Sequence, residues 1–194
     1  MIVALLVLAL LLAAAVVIFR KAMRLSEPSA NDVPLFLQKI EMDALYGAFH
    51  PEAEQRFRDA LPADEFKHVQ WKRIHLAIHY CNILTVNAFI FQGWTRYERR
   101  VNWEALDTQA QETLFSLRDA CLQCRMSAFV VRLRLRWWLV KMALLPFLAP
   151  PSFDSLLRMG SGSMIAFYEN AKTQAEAFSH AYGEEYHQKL AQAL

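Results

Sequence analysis

The first nineteen residues, from Met1 to Phe19, contain no charged side chain, and a basic flank begins at Arg20. A helix rises about 1.5 Å per residue, so a run of this length just crosses a hydrocarbon core of about 30 Å. A cleaved secretory signal has basic residues before a shorter apolar core, and a small-residue cleavage site after it. No Lys or Arg precedes this run. The best candidate for a cleavage site, at residues 28–30, matches the small-residue pattern poorly. The sequence therefore predicts a retained transmembrane signal anchor over residues 1–19.

The basic residues after the run, Arg20, Lys21 and Arg24, predict its direction across the membrane. Positive charges favour the cytoplasmic side, so we expect a single-pass protein of the cell (inner) membrane with its N-terminus outside and its C-terminal domain cytoplasmic. The chain has three cysteines, an odd number that suits a reducing compartment. The lipid bilayer is thus the expected partner of residues 1–19. A net charge of +2 gives no reason to expect a nucleic-acid partner.

Residues 20–32 read as a basic flank and linker, and residues 33–194 as one helical domain. Glycine is scarce, at five in the whole chain, and strict apolar–polar alternation is confined to residues 131–136. This composition predicts an all-α fold, an antiparallel bundle of about five or six helices of which two or three are long. Proline, glycine and capping residues divide it into helices at residues 32–49, 52–61, 62–100, 102–145, 152–159 and 163–194.

Two helices of this bundle allow a second interpretation. Residues 74–95 carry no charge and are long enough to span a bilayer, but they include five polar side chains that are costly in lipid. A buried position at the centre of the bundle is therefore favoured over a second span. The last helix has an apolar seam, which either closes the bundle or pairs with a partner, the first being the default. The seam consists of Met164, Tyr168, Ala171, Ala175, Phe178, Tyr182 and Tyr186.

Histidines and cysteines supply weak candidates for a metal site. His68, His75 and His79 share one side of their helix within about 40°, and His75 and His79 have the i, i+4 spacing of helical metal ligands. These histidines lie on a polar face without a completing acidic residue between them, so a solvated or subunit-facing stripe is favoured. Cys121 and Cys124 form a single CxxC in mid-helix, which supplies only two of the four ligands of a structural zinc. We therefore expect both cysteines to be small core residues, and no metal or cofactor is predicted.

Arginines and tryptophans give the strongest hint of a contact surface. The candidate membrane or partner contacts are Arg118, Arg125, Arg132, Arg134, Arg136, Trp137 and Trp138. An apolar tail, broken by Lys141, follows them to residue 149. Arginine beside tryptophan at an apolar boundary is typical of membrane-interface helices. The alternative is the end of a core helix whose arginines extend their charged ends to solvent, and this core interpretation is favoured.

Catalytic motifs do not decide the function, because the sequence contains no GxSxG, P-loop, GxGxxG or HExxH pattern. The leading hypothesis is a membrane-anchored helical scaffold or protein-interaction module, with a protein partner or self-association. The alternative is a membrane-surface module that binds or senses lipid through residues 132–149. A third hypothesis is a metal- or small-ligand-binding enzyme that uses the histidine stripe. An enzyme is the least favoured class.

Overall fold

The computed structural model describes residues 28–145, 152–156 and 161–194, and these residues form helices and no strand. Short 3-10 turns lie at Ala30–Asp32, Trp103–Ala105 and His180–Tyr182. The α-helices within the described residues are α1 (Val33–Phe36), α2 (Met42–Phe49), α3 (Pro51–Ala60), α4 (Ala63–Val101), α5 (Thr108–Leu144), α6 (Asp154–Leu156), α7 (Gly162–Ser179) and α8 (Glu184–Ala193). The predicted all-α bundle is thereby confirmed, although the described residues form eight α-helices instead of the predicted five or six.

Helices α4 and α5 form an antiparallel hairpin that dominates the fold. They contain 39 and 37 residues, so each is about 55–60 Å long. Helix α5 begins after Asp107, whose carboxylate accepts a hydrogen bond from the Ala110 backbone N–H at 2.7 Å. This cap satisfies one of the N–H groups that a helix start leaves unpaired. The predicted helix 102–145 therefore starts six residues late, because a 3-10 turn occupies Trp103–Ala105.

Each helix of the hairpin contains, among its buried residues, one series at alternating steps of three and four, the spacing of a coiled coil. On α4 this series is Ile74, Ala77, Cys81, Leu84, Ala88, Phe91, Thr95 and Glu98. On α5 it is Leu114, Leu117, Cys121, Cys124, Ala128, Val131, Leu135, Trp138 and Met142. Small residues occupy the middle of the α5 series, which lets neighbouring helices approach closely there.

Helix α7 completes the core against α5 and α4. It buries five of the predicted seam residues, Met164, Tyr168, Ala171, Ala175 and Phe178. The Cys81 Sγ lies 3.8 Å from the Met164 Sδ, which joins α7 to α4. The predicted single helix 163–194 is wrong beyond Ser179, because Gly183 adopts a φ of +93°. Residues with a Cβ rarely adopt this conformation, so the glycine ends one helix and starts α8 in a new direction.

The first predicted helix, residues 32–49, is also interrupted. Helix α1 ends at Phe36 and α2 begins at Met42. Between them, the Gln38 backbone N–H donates to the Asn87 Oδ1 at 2.9 Å, and the Asn87 amide donates to the Gln38 carbonyl at 2.7 Å. The Asn87 side chain thus pairs with the two backbone groups of Gln38, which a continuous helix would pair with its own backbone.

The predicted anchor at residues 1–19 lies outside the described residues. Among the described residues, α4 is long and apolar enough to cross a membrane by length and composition alone. Half of its most apolar stretch is buried inside the bundle. Its buried polar residues include Gln70, Asn87, Gln92 and Glu98, a pattern that favours a core helix over a second span.

Pro28, where the described chain begins, packs against α4 at Gly93. A Cβ built on Gly93 would lie 2.6 Å from the Pro28 Cδ, which is closer than real contacts allow. The ring of proline is fixed to the backbone, so the N-terminal segment must move if this position gains a methyl group.

Gly93→Ala is therefore expected to destabilise the fold by about 1–3 kcal/mol, although alanine is the better helix former. Gly47→Ala is the matched control, because Gly47 is also helical and has no neighbouring atom within 4 Å of a built Cβ. The control is expected to stabilise the fold by about 0.5–1 kcal/mol. Denaturant unfolding of both variants checks this difference, and a stabilised Gly93→Ala would contradict the close packing of Pro28.

Candidate functional site

The side of α5 that faces away from the core is apolar over most of its length. We call it the outer apolar face; it consists of Leu122, Met126, Phe129, Val130, Leu133, Trp137, Val140 and Leu144. These side chains are between 44% and 73% exposed. They lie opposite the buried three-and-four series, at positions that are usually polar in a soluble bundle. The face extends for about 33 Å along the helix.

The charged side chains of α5 are all basic from residue 120 to the end of the helix. Residues 120–145 contain five basic side chains and no Asp or Glu. Arg134, Arg136 and Lys141 are exposed beside the face. The Lys141 Nζ lies 5.6 Å from the centre of the Trp137 ring, so cation and aromatic ring share one surface.

Two of the predicted contact arginines bind α4 instead of facing solvent. The Arg125 guanidinium donates to the Gln92 side-chain oxygen and lies over the Phe89 ring at 5.4 Å. Arg132 donates to the Asn82 Oδ1 at 3.0 Å. Both arginines therefore fix the two long helices to each other.

The other arginines of that prediction remain at the surface. Arg118 is 3.9 Å from Asp119, an exposed pair of little energetic weight. Arg134 and Arg136 are exposed. The predicted contact arginines thus divide into interhelical and surface members.

Trp138 does not belong to the exposed surface, because this residue is only 4% exposed. Its ring lies 5.7 Å from that of Phe153, edge to face, in the core. Glu54 holds Phe153 there by accepting a hydrogen bond from its backbone N–H at 2.6 Å. Trp138 belongs to the buried series of α5, whereas the adjacent Trp137 turns outward. Trp138 therefore takes the core position that the favoured interpretation of this segment expects.

The histidine stripe stays at the surface of α4. His68, His75 and His79 are all exposed, and the His75 Nδ1 lies 2.9 Å from the Trp71 carbonyl oxygen, a hydrogen bond within the helix. Within residues 28–145, 152–156 and 161–194, no three His, Cys, Asp or Glu side chains are grouped to hold a metal ion. The structure therefore brings no completing ligand to these histidines.

All three cysteines are free and buried. Cys121 and Cys124 occupy core positions of α5, and Cys81 occupies one of α4. Burial raises the pKa of the Cys81 and Cys124 thiols to about 12, and it raises the pKa of Cys121 further. A thiol is nucleophilic or metal-binding as the thiolate, so these side chains act as small apolar groups at neutral pH.

A buried carboxylate surrounded by aromatic rings was not predicted from the sequence. The Glu98 carboxylate accepts hydrogen bonds from the Trp94 Nε1 at 3.2 Å and the Asn102 amide at 2.7 Å. The Trp94 ring centre lies 6.0 Å from that of Tyr182 and 5.9 Å from that of Tyr186. Burial is the largest cause that raises the pKa of both tyrosines, so both phenols are neutral. Gly183 brings Tyr186 back to α4, and no local pattern signals this contact.

This carboxylate has a structural role rather than a chemical one. Trp94 and Glu98 are completely buried, and the rings contact one another instead of enclosing a space. A groove of about 810 Å³ lies outside the cluster, between α1 and α8, and its lining includes Leu35, Tyr182 and Tyr186. Trp94 and Glu98 do not line it, so the carboxylate is separated from anything that the groove could hold.

Ser179 and His187 form the nearest approach to a catalytic pair in the described part of the chain. The Ser179 Oγ lies 2.8 Å from the His187 Nδ1. The hydroxyl also donates to the Glu176 carbonyl at 2.6 Å, and Ser179 is completely buried. A hydroxyl whose proton is already engaged and which no substrate can reach is not an activated nucleophile.

No protein-family model, curated protein or solved structure matches this chain. The functional interpretation therefore depends on the geometry alone. Among the described residues, the outer apolar face of α5 is a row of eight exposed apolar side chains that the core does not use. Exposed apolar surface of this extent marks an interaction site in soluble proteins.

Proposed function

We propose that this protein is a membrane-anchored helical module that functions by binding through the outer apolar face of α5. The observation that carries the proposal is that this helix has two apolar sides, of which only one is buried. Its inner side already supplies the bundle with a complete series of core residues. A second apolar side, 44–73% exposed, contributes nothing to the fold and is costly to leave in water.

The anchor in this proposal is the apolar segment 1–19, with the bundle in the cytoplasm. The support is its length, the lack of charge and the basic residues that follow it. The polar groups of α4 are engaged within the bundle: Asn87 binds Gln38 and Tyr168, and Glu98 binds Trp94 and Asn102. This engagement supports α4 as the central core helix and leaves the anchoring role to residues 1–19.

Binding is proposed over catalysis because the described polar clusters serve the fold. The histidine stripe gains no further ligand, the thiols are protonated and buried, and Ser179 is inaccessible. The outer apolar face has no polar group positioned to act on a substrate.

Photo-crosslinking in intact membranes tests this function. A photoreactive amino acid is placed at Leu133, in the middle of the outer apolar face, and in a control at Thr173, an exposed position of α7. We expect efficient adducts from Leu133 with a membrane component, whether a phospholipid, a second copy or another protein identified by mass spectrometry. The control is expected to give few adducts. The absence of adducts from Leu133 in a membrane-bound, folded chain would contradict the proposal.

A further inference from the structure

We propose that the outer apolar face of α5 lies on the anionic surface of the bilayer that holds the anchor, with the helix axis parallel to the membrane. This inference rests on the proposed function and names the partner of the same surface. An interfacial helix inserts its apolar side to about 5–10 Å and keeps its charged residues at the headgroups. The composition and the exposure of α5 both fit this placement.

The apolar contribution comes from eight side chains in one row. They include Leu, Phe and Trp, the residue types that are typical of the inserted side of interfacial helices. Trp137 is 56% exposed, and an exposed tryptophan beside cations favours the headgroup level of a membrane. Trp138, in the core, fixes the same turn of the helix to the bundle.

The positive charge beside the outer apolar face favours an anionic membrane surface over a second copy of the chain as the partner. Arg134, Arg136 and Lys141 are exposed beside the face, and each cation near an anionic membrane contributes about 1 kcal/mol of attraction. A second copy of the chain would bring the same three cations together across the contact, with no acidic residue in 120–145 to balance them. Charge complementarity therefore favours anionic phospholipid over self-association.

The four arginines of this region cannot cross the membrane with the helix. Arg125 and Arg132 bind Gln92 and Asn82 of α4, so these cations hold α5 against the bundle. A helix held in this way presents one side only. The membrane therefore contacts α5 along its side, and the rest of the bundle remains in water.

The connection to the anchor is long enough for this arrangement. Residues 20–27 separate the anchor from Pro28, and at about 3.4 Å per residue they reach at most about 27 Å. Two packed helices, with axes 8–10 Å apart and side chains on both sides, are about 20 Å thick. Even if Pro28 lies on the far side of this layer, the connection reaches the plane of the outer apolar face.

Fluorescence of the full chain in vesicles tests the inference. An environment-sensitive nitrobenzoxadiazole label is attached to a Leu133→Cys variant reconstituted in phosphatidylcholine vesicles with or without phosphatidylglycerol. The three native thiols are buried, so the label is directed to the introduced cysteine. A Thr173→Cys variant carries the control label. Quenching by spin-labelled lipid then reports whether each position is at the membrane.

The label at position 133 is expected to be blue-shifted and quenched in the vesicles that contain phosphatidylglycerol, and to lose both effects in high salt or in pure phosphatidylcholine. The label at position 173 is expected to stay in water under all conditions. A triple variant, Arg134→Glu, Arg136→Glu and Lys141→Glu, is expected to reduce the ratio of docked to undocked helix by at least about 100-fold. Because these side chains are exposed, the variant should keep its helical circular dichroism.

Two results would overturn the inference. One is a label at position 133 that remains in water in anionic vesicles while the chain is inserted and folded. The other is quenching that is equal in neutral and anionic lipid and unaffected by the triple variant, because the charge would then play no part. If the vesicle test fails while Leu133 crosslinks to an identified protein in cells, the lipid partner is wrong and the interaction module stands.

Discussion

Replacing Trp94 with alanine is expected to cost about 3–5 kcal/mol of unfolding free energy, the range for removing a large buried aromatic side chain. Trp94 is completely buried on α4. Its ring centre lies 5.1 Å from that of Phe178, and its Nε1 donates to the Glu98 carboxylate. The substitution therefore leaves a cavity and removes one of the hydrogen bonds of the buried Glu98 side chain, and both effects lower stability. The melting temperature should fall by about 6–20 °C.

Trp137→Ala is the matched control for this prediction. Trp137 is 56% exposed on the outer apolar face, so its removal should change stability by about 0.5 kcal/mol or less. Denaturant unfolding of the full chain in detergent, followed by circular dichroism, measures both variants. Equal losses at the two positions would contradict the burial of the Trp94 cluster. The control also separates stability from membrane contact, because Trp137→Ala should weaken only the latter.

The long helices of this fold were predictable because their signals are local. Scarce glycine and wide proline spacing predict helices 62–100 and 102–145, and α4 and α5 form close to these positions. The three-and-four series of buried residues is also visible in the sequence once its register is known. Read from Leu114 onward, this series places Trp138 in the core and Trp137 outside. The predicted surface included both tryptophans, because they are adjacent in the sequence. On the helix, however, one side chain is exposed and the other is buried.

The helix ends that depend on distant contacts were not predictable in this way. A single helix over residues 32–49 satisfies local propensity, yet Asn87 of α4 captures the backbone of Gln38. Likewise, nothing near Gly183 shows that it takes a positive φ, because glycine also occurs within helices, as Gly93 does here. Tertiary contacts override local preference at both sites.

The residue types of the candidate site could be predicted from the sequence, but their arrangement in the fold could not. Arginine beside tryptophan indicated a contact surface on α5, the helix that carries the outer apolar face. The sequence did not show that Arg125 and Arg132 bind Gln92 and Asn82, because helical spacing assigns a residue to a side of the helix but does not show what that side contacts. The apolar members, such as Met126 and Leu133, read as core residues until the structure shows another series filling the core.

Asn87→Leu is expected to destabilise the fold by about 2–4 kcal/mol, although leucine has a similar volume and a higher helix propensity. Asn87 is completely buried. Its side chain bonds the Gln38 N–H and carbonyl, and its amide also donates to the Tyr168 Oη at 2.9 Å. Leucine leaves these three groups without their partner, and a buried polar group that loses its hydrogen bond costs about 1–3 kcal/mol. One side chain thus joins the chain between α1 and α2 to both α4 and α7.

The location of the increased hydrogen exchange distinguishes the loss of the Asn87 hydrogen bonds from a general loss of core packing. Hydrogen exchange should increase first at residues 37–41, while the amides in the middle of α4 and α5 keep their protection. Tyr168→Phe removes one of the three bonds and should cost about 0.5–1.5 kcal/mol. Asn170→Leu, at an exposed position of α7, should change stability by no more than about 0.5 kcal/mol. If Asn87→Leu behaves like Asn170→Leu, Asn87 does not cause the break between α1 and α2, and the interruption must come from the local sequence of residues 37–41.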